Sequence, residues 1–346
     1  MKPRIFTAAT ALGGLAAGVA LEHTMLRRRR RNDPEAGERF GERRGERTRR
    51  YDLPDGGRLL VEEVGPARSR KAAVFVHGSA LSTDEWHYQL TGLGGHRLIF
   101  YDLRGHGRSR PKGDKDFSMT CLADDLAEVI ARGKLDEVVV VGHSIGGMIA
   151  LQLCKEQPDL LGDTIKGLVL LNTTPRPPTE TLIGGMSVAR LERLMRRPID
   201  ALSGYSTQLG RFRWVATPSD AVFWGVALTA FGPGAPAGQI DFTYRMVSAT
   251  PADVLFDLLR TYRTFDMTDD LSAVAVPVRV ITGTHDRLTI PEASRELAGR
   301  LPKAELDVLD GCGHMSMLER HTQVNRIITE FLHDTLGKPR KAQTRS

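Results

Sequence analysis

The chain has 346 residues, 41% of them hydrophobic, and a net charge of +6. That is enough apolar material for one large α/β core or two small ones. The basic balance suggests nucleic acid until the charge is located. Residues 27–50 hold 11 Arg against 5 acidic residues, residues 1–26 add +1, and residues 51–346 carry −1. The folded part is therefore close to neutral, and no nucleic-acid partner is expected. Cys121, Cys154 and Cys312 are far apart and read as reduced thiols. No His or Cys cluster has metal-ligand spacing, so no metal is expected.

Residues 5–21 are 17 residues without a charge, preceded by Lys2 and Arg4. This is the short end for a spanning helix, and a secretory signal is its rival. The basic run Arg27 to Arg31 follows closely and favours retention of that flank inside the cell. The expectation is an N-terminal anchor over residues 1–26 that holds a cytoplasmic catalytic part at the membrane. A cleaved signal on a secreted protein, and a cytoplasmic protein with a loose tail, are the alternatives. Residues 27–50 read as an Arg-rich flexible spacer near anionic lipid.

Asp52 to Val61 reads as a hairpin around Pro54-Asp55-Gly56-Gly57. Ala72 to His77 and Arg97 to Asp102 are buried strands. Thr120 to Arg132 places Leu122, Leu126, Val129 and Ile130 at helical spacing. Glu137 to Val141 is a β-branched run that meets Gly142-His143-Ser144-Ile145-Gly146, and a helix then runs to about Glu156. Glycines flank the serine because a sharp strand-to-helix turn leaves no room for side chains there. Such a turn lifts one hydroxyl above the carboxyl edge of a sheet, and Ser144 is the candidate nucleophile. Gly167 to Asn172, Val276 to Gly283 and Ala304 to Leu309 are further strands. A last helix carries Val324, Ile327, Ile328, Phe331, Leu332 and Leu336 on one face and stops at Gly337. The alternation implies a mostly parallel sheet with helices on both faces and ligands at its carboxyl edge. Residues 51–174 and 276–337 form this core, and residues 338–346 a disordered tail. Residues 175–275 break the rhythm and contain no convincing strand. They read as a helical lid, with Trp214 and Trp224 either lining an acyl pocket or forming the lid's own core.

A serine nucleophile needs a base, and the base needs an orienting acid. Asp286 follows the strand Val278 to Gly283, and His314 follows the strand that ends at Leu309. The chain order is Ser, Asp, His. Asp102-Leu103-Arg104-Gly105-His106-Gly107-Arg108-Ser109, His77-Gly78-Ser79 with Trp86, and Gly313-His314 followed by Met317, Glu319 and Phe331 complete a pattern. In these motifs residues 51–337 resemble the α/β-hydrolase superfamily, in its lidded esterase/lipase-like branch. The basic, hydrophobic start is similar to that of actinobacterial members.

The resemblance implies an eight-stranded-type sheet, with Ser144 as nucleophile, His314 as general base then acid, and Asp286 as the orienter of His314. It implies an oxyanion hole from the backbone N–H groups of Ser79 and Ile145, and no cofactor. Asp310 is the rival acid, but suits a structural turn. Some relatives place the acid after the strand before the lid, where Asn172-Thr173-Thr174 offers no carboxylate. His77, His106, His143 and His285 read as packing or hydrogen-bonding residues. Trp86, Trp214, Trp224 and Met315 are the candidate pocket residues. The loop His77-Gly78-Ser79-Ala80 lacks the glycine run of some lipases and the proline common in relatives. A serine rather than an aspartate nucleophile disfavours dehalogenase or epoxide-hydrolase chemistry. The expected substrate is a small-molecule, lipophilic acyl ester. A cofactor-free haloperoxidase (perhydrolase) or lactonase would use the same three residues, and a non-catalytic small-ligand binder is the alternative of another class.

Overall fold

The computed structural model describes residues 23–111, 116–177, 182–183, 186–187 and 220–339. A helix α1 runs through residues 23–31. Then follow β1 (Arg47–Asp52), β2 (Arg58–Val64), β3 (Lys71–Val76), the short α2 (Gln89–Gly92), β4 (Arg97–Tyr101), α3 (Met119–Arg132), β5 (Glu137–His143), α4 (Ile145–Glu156) and β6 (Ile165–Leu171). The strands β7 (Leu182–Ile183) and β8 (Met186–Ser187) precede α5 (Asp220–Ala230), α6 (Ala237–Ala249) and α7 (Ala252–Thr264). The chain closes with β9 (Val278–Gly283), α8 (Pro291–Arg300), β10 (Ala304–Leu309), α9 (Ser316–Glu319) and α10 (His321–Leu336).

Eight strands form one sheet in the order β1-β2-β4-β3-β5-β6-β9-β10. β1 and β2 pair antiparallel, as do β2 and β4, and every other pair is parallel. The run Val138 to Val141 explains why both faces are covered. Successive strand residues point to opposite faces. Val138 and Val140 join the core beneath α3 and α4, whereas Val139 and Val141 join the core beneath α10. All four are fully buried. Ser118 caps α3 by accepting from the Cys121 N–H at 3.2 Å, and α10 ends at Gly337 with φ +84°.

Three expectations are corrected. The Arg-rich stretch is folded, not a spacer. Arg30 makes a bidentate pair with Asp241 of α6 (2.9 and 2.7 Å), and Arg29 donates to the Ala235 carbonyl at 2.8 Å. Asp33 accepts from the Gly238 N–H, Phe40 stacks on Phe242 with centroids 5.0 Å apart, and Leu26 is fully buried. On the core side Glu38 bonds His87 at 2.9 Å, and Arg44 pairs with Asp84 at 2.7 Å. Alternating Arg and acidic residues find opposite charges on two neighbouring surfaces, which a composition count does not reveal. The core also begins earlier than residue 51, because β1 starts at Arg47. Within the insertion, β7 and β8 form a small antiparallel hairpin where no strand was expected.

The apolar segment 5–21 lies outside the described residues, as do residues 340–346. Among the described residues no helix is long and apolar enough to cross a membrane.

Candidate active site

The parallel register sets the site. His143 of β5 pairs with Leu171 of β6, Leu171 with Ile281 of β9, and Gly283 of β9 with Leu309 of β10. Ser144, Asn172, Asp286 and His314 therefore all leave the sheet at its carboxyl edge.

Ser144 has φ +53° and ψ −119°, a strained conformation for a residue with a side chain. Close packing enforces it. A Cβ on Gly146 would lie 2.1 Å from the Val76 carbonyl oxygen, and one on Gly142 would lie 2.5 Å from the Gly146 backbone. The Ser144 hydroxyl does not cap α4. The Ser144 carbonyl accepts from the Thr173 hydroxyl at 2.7 Å. The amides of Ile145 and Gly146 open α4, where helix geometry supplies no acceptor and the helix dipole favours negative charge.

His314 Nδ1 lies 2.9 Å from Asp286 Oδ2 and 3.2 Å from Oδ1. Asp286 is 3% exposed, so its charge must be met by donors rather than water. Oδ2 also accepts from Asn172 Nδ2 (2.9 Å) and the Thr289 hydroxyl (2.7 Å), and Oδ1 from the Leu288 and Thr289 N–H groups (both 2.9 Å). Burial pushes this carboxyl up, but His314 and the donors outweigh it and hold it below the usual range. Asp310 instead accepts from the Thr284 hydroxyl at 3.3 Å, in the turn role expected for it.

Two neutral histidines build the loop that carries Ser79. His77 Nδ1 donates to the Gly78 carbonyl at 2.8 Å, and its Nε2 accepts from the Leu103 N–H at 2.8 Å. His106 Nδ1 donates to the Arg104 carbonyl at 3.0 Å, and its Nε2 accepts from the Ala80 N–H at 3.2 Å. Burial lowers His77 to about 4 and His106 to about 3, so both remain neutral hydrogen-bond relays. Asp102 accepts from the Thr83 and Arg108 N–H groups, both at 2.8 Å, and Arg104 forks onto Asp125 at 2.7 Å. The Asp-x-Arg-Gly-x-Gly-x-Ser motif thus braces this loop from outside.

The pocket expectations fare differently. Trp86 is fully buried against Phe75, with ring centroids 5.2 Å apart, and is core rather than a pocket wall. Met315 is 1% exposed and packs with Leu309 and Cys312 in the same core. Trp224 is half-buried under the Arg29 guanidinium, 5.6 Å from its ring, so it faces α1. Trp86 and Met315 found closer apolar partners than a ligand space, and Trp224 found a guanidinium. Trp214 lies outside the described residues.

Three side chains have roles that the sequence reading did not assign. Asn172, with φ +46°, links Asp286, the Gly313 carbonyl (3.2 Å) and the Ser316 hydroxyl (2.5 Å). Its place at a strand end on the shared edge was the available signal. Tyr262 of α7 lies beside the Ser79 side chain, and nothing local in the sequence marks it. Glu319 accepts from the Gly313 N–H (2.9 Å) and the Gly232 N–H (2.8 Å), bolting the His314 loop to the end of α5. The His314 N–H itself donates to the Ala230 carbonyl at 2.8 Å.

Residues 73–327 match the model of the alpha/beta hydrolase family. The chain belongs to the alpha/beta hydrolase family. Over 286 residues the hydrolase is 29% identical to a non-heme haloperoxidase of Rhodococcus erythropolis, covering 80% of this chain and 97% of that one. A thermophilic esterase of Thermogutta terrifontis superposes with a TM-score of 0.67 at 23% identity, over 84% of this chain and 99% of that one. An N-acyl homoserine lactone degrading enzyme superposes with a TM-score of 0.62 at 25% identity, over 81% of this chain and 98% of that one. The relatives are spanned almost whole, and the family match begins downstream of α1 and β1.

Proposed function

We propose that the hydrolase cleaves carboxylic esters through an acyl-enzyme, with Ser144 as nucleophile, His314 as general base then acid, and Asp286 orienting His314. The observation that carries this reading is the His314–Asp286 pair, 2.9 Å apart at the same sheet edge as the strained Ser144 turn. Asp286 holds Nδ1–H, which leaves Nε2 free to take the serine proton. The attacked carbonyl oxygen becomes an oxyanion, met by the N–H groups of Ser79 and Ile145. One such donor is worth roughly 2.7–4 kcal/mol of barrier. His314 then protonates the leaving alcohol, and water activated by His314 releases the acid. The residues present supply every proton transfer. The described insertion helices border this edge, Ala230 against His314 and Thr250 against Ala80, and favour a lipophilic acyl group.

The test is turnover of a p-nitrophenyl ester series of increasing acyl length. Ser144→Ala should abolish it, together with labelling by a fluorophosphonate. Retained turnover in that variant would refute the assignment.

A second reading is favoured by the haloperoxidase relative at 29% identity. On the same residues, peroxide in place of water would attack the acyl-enzyme and give a peracid. Peroxide-dependent halogenation in acetate buffer, lost in Ser144→Ala, distinguishes it from plain hydrolysis.

A further inference from the structure

Glu85 and His143 perform no step in the proposed reaction, yet both are fully buried directly beneath it. Glu85 lies in the short turn Thr83–Trp86, after the loop that carries Ser79. His143 is the last residue of β5, immediately before Ser144. The Gly78 N–H donates to the Glu85 carboxyl at 3.2 Å from each oxygen. Glu85 Oε2 lies 3.1 Å from His143 Nδ1, and His143 Nε2 lies 3.1 Å from the carbonyl oxygen of His314. A single line of contacts therefore starts at the oxyanion loop, passes under the nucleophile and ends on the main chain of the catalytic histidine.

The proton positions follow from the two ends. A carbonyl oxygen only accepts, so His143 Nε2 must carry hydrogen. A neutral ring with Nε2–H has a bare Nδ1, which itself only accepts. The hydrogen between the two side chains then belongs to Glu85, as a carboxylic acid. Its other oxygen accepts from Gly78. The alternative, a carboxylate against an imidazolium, would bury two charges with few further donors to meet them. Burial acts against that alternative at both members: it raises Glu85 well above the carboxylate range and lowers His143 well below the usual imidazole value. The titratable groups that face the pair are His314 and Asp286. His314 opposes a cation on His143, and Asp286 favours one. The Trp86 ring, its centroid 6.5 Å from that of His143, closes one side.

We propose that Glu85, as a carboxylic acid, and His143, as its Nε2–H tautomer, are a positioning pair that locks the His314 loop to the oxyanion loop. The role in positioning rests on the triad reading above, whereas the placement of the proton does not. Glutamine copies the acid closely: its amide N–H₂ donates to Nδ1 and its carbonyl accepts from Gly78. Aspartate is too short to reach both, and alanine reaches neither.

The experiment measures kcat and KM on a short p-nitrophenyl ester for Glu85→Gln, Glu85→Asp, Glu85→Ala and His143→Gln. Rates are normalised to sites titrated with a fluorophosphonate, which removes misfolded protein from the comparison. The expected result is a fall in kcat on the order of tenfold or more for Asp and Ala with KM little changed, and rescue by Gln. Imidazole NMR of the wild-type chain should show His143 as the neutral Nε2–H tautomer across the neutral pH range. Loss in Gln equal to that in Ala, or an imidazolium signal from His143, would overturn the protonation assignment. An unchanged kcat per titrated site in Asp and Ala would overturn the positioning role. If the probe fails to label the wild-type chain, the triad reading falls and the NMR result alone decides the proton. Should Ala fail to fold, Asp and Gln carry the comparison.

Discussion

Asn172 Nδ2 donates to Asp286 Oδ2 across 2.9 Å and so ties the end of β6 to the buried carboxylate beyond β9. The amide gives the buried carboxylate a donor that water would otherwise supply. Asn172→Ala should leave that oxygen short of a partner and let the carboxylate swing. A hydrogen bond to a charged group is worth about 1.5–3 kcal/mol, so kcat should fall by roughly tenfold to a hundredfold. KM should change little, and steady-state kinetics on one ester checks both.

Glu319 offers a pH test of the His314 loop. Burial is the main cause that pushes its carboxyl up, to about 7, while the two N–H donors and Arg320 pull the other way. A raised folded value means the neutral form is favoured by folding. That stability is complete below about 4.5 and is lost as pH rises through about 7. Glu319→Gln stays uncharged. Its melting temperature relative to wild type should move in its favour across that window, by on the order of 2–3 kcal/mol in stability. Thermal melts at several pH values measure it, and a constant difference would contradict the assignment.

His77 and His106 predict the opposite slope. Burial holds their folded values near 4 and 3, below the unfolded value of 6.5. Their contribution is complete above pH 6.5 and is lost as pH falls from there toward the folded values. Each can steepen acid unfolding by up to about 1.4 kcal/mol per pH unit. His106→Gln removes one titrating group and should flatten the slope in urea titrations carried out across that range.

Gly146→Ala should fail through sterics alone. The added methyl would meet the Val76 carbonyl oxygen at 2.1 Å, and this is backbone of a central strand, which cannot yield as a side chain would. A loss of about 3 kcal/mol or more is expected from such overpacking, read as a lowered urea midpoint or insoluble expression.

The Arg30–Asp241 pair tests whether the N-terminal segment holds the insertion. Its side chains are 36% and 27% exposed, so solvent screens the pair. Arg30→Ala should cost only about 1 kcal/mol. The sharper readout is proteolysis, where cleavage should appear first between residues 23 and 46, ahead of the sheet. Unchanged cleavage would mean that other contacts carry the attachment.

The motifs that were legible share one property: their chemistry is local. Gly142, Ser144 and Gly146 lie within five residues and describe their own turn, and the valines before them describe a strand buried on two faces. Asp286 and His314 were found because each follows a strand, and parallel strands share an edge. Trp86 and Met315 proved to be core because burial of a large apolar side chain looks the same in sequence whether it faces a ligand or a neighbour. The Arg-rich stretch was misread because its partners, Asp241, Gly238 and Phe242, are some two hundred residues away.

Alternating apolar runs, glycine spacing and strand-end residues determined the sheet, the sharp turn at Ser144 and the chain order of the three side chains, because each depends on neighbours within one element. Tertiary structure alone decided that Asn172 braces Asp286, that Glu319 fastens the His314 loop, that Glu85 meets His143, and that residues 23–46 are folded. Those contacts join segments brought together only when the sheet closes its register, and no local propensity encodes which distant group will stand within 3 Å.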